Sequence, residues 1–420
     1  MTQHVALQRA ARGPGFAEFV VLMAALMALG ALGIDSMLPN LPAIGTALGV
    51  VDENRRQLII TTYLLGLGGS QLIYGPLADR FGRRPVLLTG LCLYVGFSLL
   101  AALSPTFNLL LVARVLQGIG AAATRAIPVS VVRDRYAGRE MARVMSLTSL
   151  VFMAAPIVAP SLGQLVLMLA AWPWIFGVLA TLGFLLMLWA LLRLPETLHP
   201  EDRLAIRPAR IARAFATAAR DRTALCYVLG QTFLFGGLLG FINSAQQVFA
   251  EALHAGDKFA LVFAICASFV ALASLLNARL VMQLGMRRLS HAALLAYIAV
   301  PAAHLAVAAS GHETLVVFAA FQALTMFSFG LTSGNFGAMA MEPMGHIAGV
   351  ASSFQGFVSM VGASLIGFVI GQAFNGTVIP VEAGYLLCGL AALALVLVAE
   401  RGRLFQPHEG GDVLIHGFAE

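Results

Sequence analysis

Gly75-Pro76-Leu77-Ala78-Asp79-Arg80-Phe81-Gly82-Arg83-Arg84 decides how the rest of the chain is read. These ten residues carry one acid, three arginines and two glycines, in a chain where only 11% of residues are charged. Long apolar runs lie on both sides. The stretch is too short for a domain and too charged for lipid. It reads as a tight turn between two membrane helices at the water boundary, where its charges can change partners as helices move.

The composition agrees. The chain has 420 residues, 59% of them hydrophobic, and a mean hydropathy of +0.86. That is the composition of a polytopic membrane protein. A spanning helix takes about 20 apolar residues, which leaves room for roughly 12 spans. Backbone groups in lipid must be satisfied within the element, so an all-α bundle is expected. The runs place spans near 16–38, 57–78, 85–103, 106–132, 142–170, 173–193, 223–250, 258–280, 289–309, 314–340, 347–373 and 379–399. Residues 194–222 are rich in arginine and proline and read as a linker between two six-helix halves, 1–193 and 223–400. Residues 401–420 read as a loose tail.

Orientation follows from the basic residues, all arginine except Lys258. With the N-terminus and tail inside, only Arg55, Arg56 and Lys258 fall outside, and Arg114 and Arg125 fall within a span. That asymmetry predicts both termini in the cytoplasm and accounts for the net charge of +6 without nucleic acid as a partner. The apolar run from Phe16 to Leu38 exceeds a signal core, so the first helix is expected to be uncleaved. Cys92, Cys226, Cys266 and Cys388 lie in apolar runs without CxxC spacing and read as core residues, with no metal site. Leu284-Gly285-Met286-Arg287-Arg288, between spans 8 and 9, echoes the opening stretch without its acid, as a duplicated half would.

Ionisable residues inside a membrane are costly and point to function. Asp35 reads as the one acid deep in an apolar run, about 28 Å from the inner start of span 1 at 1.5 Å per residue. It is expected to carry protons, because a neutral carboxyl crosses a closed, dry state at far lower cost than a charged one. Arg114 and Arg125 are three turns apart on one face of span 4, with Gly118 and Ala121 near that face. Arg114 matches Asp35 in depth. Arg125 either lines a cavity or reaches the inner surface with Arg133. Asn243, Gln246 and Gln247 form a polar stripe on span 7, and with Tyr63 they are candidate cavity residues. His304 reads as a satisfied core histidine.

The opening stretch resembles motif A of the major facilitator superfamily, with Gly75, Asp79, Arg80, Gly82, Arg83 and Arg84 at the signature positions. Arg114, Gln117, Gly118 and Gly120 resemble motif B on span 4; Ala155, Ala159, Pro160 and Gly163 resemble motif C, the antiporter motif, on span 5. Ile34 to Pro42 resembles the span 1 signature of drug:proton antiporters. Together they look most like the bicyclomycin/chloramphenicol-resistance branch. The resemblance implies twelve spans in two pseudo-symmetric halves and proton-coupled efflux of small, largely apolar compounds across the bacterial inner membrane by a monomer. The proton gradient would be the energy source, with no cofactor. Asp79 would face the start of span 11 near His346–Val350, and Arg83 would bridge to Asp134, together latching one conformation. Asp35 would couple protons to cargo with Arg114 modulating it, and motif C would shape the contact between halves. Gln164 stands where motif C ends in glycine, and Arg125 lies outside the motifs. A cation in the cavity would disfavour cationic drugs. An exporter of an endogenous amino acid or sugar on the same fold remains open. A membrane enzyme or receptor is disfavoured, because no phosphate loop, paired metal ligands or Ser/His/Asp set appears.

Overall fold

The structure is a computed structural model and describes residues 14–203 and 208–405. Arg9, Arg12 and Arg207, which count among the inside charges, and the tail beyond 405 lie outside the described residues. Among the described residues, twelve helices are long and apolar enough to cross a membrane: spans 1 to 6 are Phe16–Ala47, Asn54–Phe81, Arg83–Ala102, Phe107–Arg135, Gly138–Leu169 and Pro173–Arg193; spans 7 to 12 are Arg222–Ala252, Gly256–Leu284, Met286–Ala309, Leu315–Met344, Gly349–Gln372 and Ile379–Ala399. All described regular structure is helical. Consecutive spans run antiparallel, so the bundle has a linker face and, opposite it, a far face.

Local chemistry sets the helix ends. Thr106, Thr314 and Asp221 cap spans 4, 10 and 7 with side-chain oxygens that accept from backbone N–H groups three residues on. Span 1 breaks after Asp35: a 3-10 turn over Leu38–Asn40 and a short helix over Leu41–Ala47 follow, at Pro39 and Pro42. Spans 2 and 3 are separated by a single residue, Gly82, whose φ of 105° lets the chain turn back on itself. Gly285, with φ of 79°, hinges spans 8 and 9 in the same way. Only glycine takes such angles without strain.

Packing repeats with a step of six spans. Span 4 packs against spans 1, 2 and 3, span 1 against spans 5 and 6, and span 3 against span 6; each pairing recurs between the spans six later. Two seams join the halves, span 2 with span 11 and span 5 with span 8. The linker is not simply an extended connection. It contains a helix, Pro208–Arg220, which sets Phe215 against Phe354 of span 11 with ring centroids 5.8 Å apart and buries Ala218 beside Ala224, Met344 and Ala351.

Small residues set the spacing. A methyl group at Gly118 would strike the Tyr63 carbonyl on span 2, and one at Gly120 would strike the Tyr94 backbone on span 3. The motif B glycines therefore let span 4 approach two neighbours at once. Gly163 of motif C does the same against the Ser36 carbonyl, and its own carbonyl accepts from Asn40 Nδ2 at 3.1 Å. That pins span 5 to the broken part of span 1, inside the first half.

Candidate functional site: a buried acid, an arginine shell and two seams

Asp35 is the last residue of the straight part of span 1 and is only 5% exposed. Its carboxyl takes no hydrogen bond and no ion pair from any described residue. Arg114 is fully buried and spends its donors elsewhere. Its Nε donates to the Ile59 carbonyl at 2.9 Å, Nη2 to the Gly33 carbonyl at 2.9 Å and Nη1 to Gln117 Oε1 at 2.7 Å. Gln117 Nε2 in turn donates to Ser98 Oγ at 2.7 Å. The guanidinium also lies 4.2 Å from the Tyr63 ring centroid. Hydrogen bonds to a charged group contribute about 1.5–3 kcal/mol each, and a desolvated cation–π contact about 2 kcal/mol. Such a shell can hold a buried arginine without a carboxylate. Its link to Asp35 runs through the Gly33 carbonyl, in the last turn of the same helix.

The expected cavity residues separate. Tyr63 has no exposed surface: its hydroxyl donates to the Gly30 carbonyl at 3.2 Å and its ring supports Arg114. Arg125 is accessible although protein surrounds it, which is how a residue lining an internal cavity behaves. Asn243 is 1% exposed and its amide has no hydrogen-bond partner among the described residues. Gln246 is half-buried. Gln247 belongs to the seam between halves rather than to an open cavity.

That seam is a network of amides at the far face. Gln57 Nε2 donates to Gln247 Oε1 at 2.7 Å and to the Gly371 carbonyl at 3.0 Å. Gln247 Nε2 donates to Asn54 Oδ1 at 2.8 Å, and Asn54 Nδ2 to the Phe374 carbonyl at 3.0 Å. Gln372 Nε2 closes the set on the Asn54 carbonyl at 2.7 Å. The far face is therefore closed along spans 2, 7 and 11. Neither Asn54 nor Gln57 stood out in the sequence, since an amide at a helix end is unremarkable until its partner in the other half is known.

The linker face carries the motif A stretch. Arg83 is 4% exposed; its Nη1 donates to Asp79 Oδ1 at 2.6 Å and its Nε to Asp134 Oδ2 at 2.9 Å. Glu196, unmarked in the sequence, accepts from the backbone N–H groups of Arg83 at 2.9 Å and Arg84 at 3.2 Å, capping span 3. Spans 2 and 11 stay in register along their length: Gly68 meets Met360, Gln71 meets Gly356 and Gly75 meets Ser353. The same register puts Asp79 level with Gly349, in the first turn of span 11. Of the expected stretch His346–Val350, the side chains of 346–348 lie outside the described residues.

Two readings need correction. Asp35 is not the one deeply buried acid, because Glu382 at the start of span 12 has no exposed surface. His304 is a core residue but not a fully satisfied one: its Nε2 meets Glu313, while its Nδ1 lies 3.2 Å from Glu382 without a formed hydrogen bond.

Residues 21–367 match the family model for the Major Facilitator Superfamily. The chain belongs to that family. It is a transporter of small molecules within a membrane, not an enzyme. An MFS-type transporter of Bacillus subtilis (strain 168), YdgK, is 33% identical over 83% of this chain and 87% of its own length. The bicyclomycin resistance protein homolog of Haemophilus influenzae is 30% identical over 64% of this chain and 67% of its own. The multidrug resistance protein MdtL of Escherichia coli is 27% identical over 93% of this chain and 98% of its own. These relatives agree with the drug-resistance branch that the motifs resemble. Among solved structures, the xylose transporter XylE of E. coli superposes with a TM-score of 0.72 at 13% identity, covering 94% of this chain and all of that one. The human organic anion transporter MFSD10 superposes at 0.65 and 20% identity, covering 92% of this chain and all of that one. Both show the shared fold.

Proposed function

We propose that this transporter exports small, largely apolar compounds in exchange for protons across the bacterial inner membrane. Asp35 carries the proton, the proton gradient is the energy source and no cofactor takes part. The linker and both termini lie in the cytoplasm, so the far face is the outer one. The observation that carries this reading is the Asp35 carboxyl, buried and unpartnered at the break in span 1. A carboxylate left alone there is costly, and a proton removes the charge. Protonation from outside weakens cargo binding and lets the empty carrier reset; release inside restores the charge.

Cargo class follows from Arg125. An accessible cation inside the bundle repels lipophilic cations and admits neutral, zwitterionic or anionic compounds. Asp79, level with the start of span 11, and Arg83, which bridges it to Asp134, act as the latch of one end state.

Asp35→Asn tests the coupling. In everted vesicles, uphill efflux should fall more than roughly tenfold, about 1.4 kcal/mol or more, with folded yield unchanged. Uphill transport at the wild-type rate would remove Asp35 from the scheme. Susceptibility profiling beside metabolite release separates drugs from an endogenous cargo.

A further inference from the structure

The second half holds a group of acids and a histidine that the coupling scheme does not use. His304, near the far end of span 9, is fully buried, its ring stacked on Phe321 with centroids 4.7 Å apart. Its Nε2 lies 3.2 Å from Glu313 Oε1, in the turn between spans 9 and 10. Its Nδ1 lies 3.2 Å from Glu382 Oε2, in the first turn of span 12, at an angle outside that of a formed hydrogen bond. Both Glu382 oxygens lack a hydrogen-bond partner among the described residues. Glu313 is the one partly exposed member, with 16% of its side chain accessible, although its Oε2 is buried without a hydrogen-bond partner among the described residues.

Among the described residues, the surroundings supply no further compensating charge. Span 10 presents Gln322, whose Nε2 donates to Tyr385 Oη at 2.9 Å and whose Oε1 is unpartnered. Span 12 adds Tyr385 and Cys388, and span 9 adds Tyr297, its ring centroid 5.8 Å from that of Tyr385. Among the described residues, no arginine or lysine forms an ion pair with these acids. With a neutral imidazole the two carboxylates place two negative charges in an apolar setting, and one proton bound within the group removes one of them.

We propose that Glu313, His304 and Glu382 form a second proton-binding site, in the half that lacks Asp35 and filled from the far face. A proton from water enters at the Glu313 carboxylate. It passes to His304 Nε2 while the proton on Nδ1 moves to Glu382. Glu313 returns to the carboxylate, the imidazole stays neutral with its proton on Nε2, and Glu382 becomes the neutral acid. The site therefore binds and releases protons without any cargo, and it stands whether or not Asp35 has the role proposed above.

Infrared difference spectra of the purified, lipid-reconstituted protein, recorded between two pH values without cargo, test this. The wild type should show the carbonyl band of a protonated carboxylic acid that shifts in heavy water. Glu382→Gln should remove that band, and Asp35→Asn should leave it. Superimposable wild-type and Glu382→Gln spectra, or a band lost only in Asp35→Asn, would overturn the proposal. If Glu382→Gln does not fold, His304→Asn gives the answer. With the relay cut, the Glu382 band should no longer change with pH, and a wild-type response in that variant would overturn the proposal equally.

Discussion

The two glycine hinges at the linker face, Gly82 in the first half and Gly285 in the second, share a plan and differ in one acid. Each is followed by a buried arginine that joins helix ends. Arg83 bonds Asp134 at the end of span 4. Arg287, whose Nε and Nη2 lie 2.9 and 3.0 Å from Glu400 and Glu342, joins the ends of spans 12 and 10. Tyr227 donates to Glu400 at 2.6 Å and draws in span 7. Three residues before each hinge the plans part. The first half has Asp79, 37% exposed at its side chain and level with the first turn of span 11. The second has Met282, 85% exposed. A carboxylate at a helix N-terminus is favoured by the dipole; a methionine is indifferent to it. Both arginines hold a half together, but only the first is bonded to an acid level with a helix of the other half.

That contrast is broken or upheld by removing each arginine. Arg83→Ala and Arg287→Ala each strand two carboxylates, at a cost of about 2–3 kcal/mol. Thermal unfolding of the purified variants should therefore drop by similar amounts. Transport per folded molecule should not follow stability: Arg83→Ala should lose more than roughly tenfold, about 1.4 kcal/mol, while Arg287→Ala stays close to wild type. Equal losses would mean that the two hinges do the same job.

Asp79→Asn sharpens the contrast with a smaller effect. It keeps the size and removes the charge at a partly exposed position, so stability should change by about 0.5–1 kcal/mol. Transport should fall several-fold, because the end state that sets Asp79 against span 11 loses its bias. Adding Met282→Asp to that variant supplies an acid in the second half. Span 8 packs against span 5 and not against span 11, so activity should stay low. Recovery in vesicle transport would show that an acid at either hinge is enough.

What the sequence revealed follows the range of each interaction. Continuous apolar runs announce helices because spanning lipid is a local demand. Motif A was legible for the same reason: hinge glycine, acid and arginines lie within ten residues. Glu382 was missed because an acid two residues after Pro380 looks like an ordinary first-turn residue; its burial arises from His304, three spans away. Tyr63 was misjudged because a tyrosine beside a cavity and a tyrosine beneath an arginine have the same spacing. Glu196 lies in a loop, and only the fold brings it to the start of span 3. Acids and arginines recurring at helix ends six spans apart would have hinted at Glu342 and Glu400, but nothing in the spacing would have paired them with Arg287.

The far-face seam gives the smallest effect and the cleanest contrast with the hinges. Its bonds run between neutral amides, so it should respond weakly to salt, whereas the charged junction at the linker face should loosen as salt screens it. Gln57→Ala removes two donated bonds and the one it accepts from Gln372 at 3.3 Å. Each contributes about 1 kcal/mol net, and part returns as water and neighbouring amides take up the freed groups. A bias of about 1–2 kcal/mol toward opening corresponds to roughly a five- to thirtyfold shift between states. Spin labels at Val51 and Asn375, both exposed on that face, should report it as a longer component in their distance distribution. Transport should change little if opening at this face is not rate-limiting. An unaltered distribution would mean that helix packing, and not the amide network, keeps the far face closed.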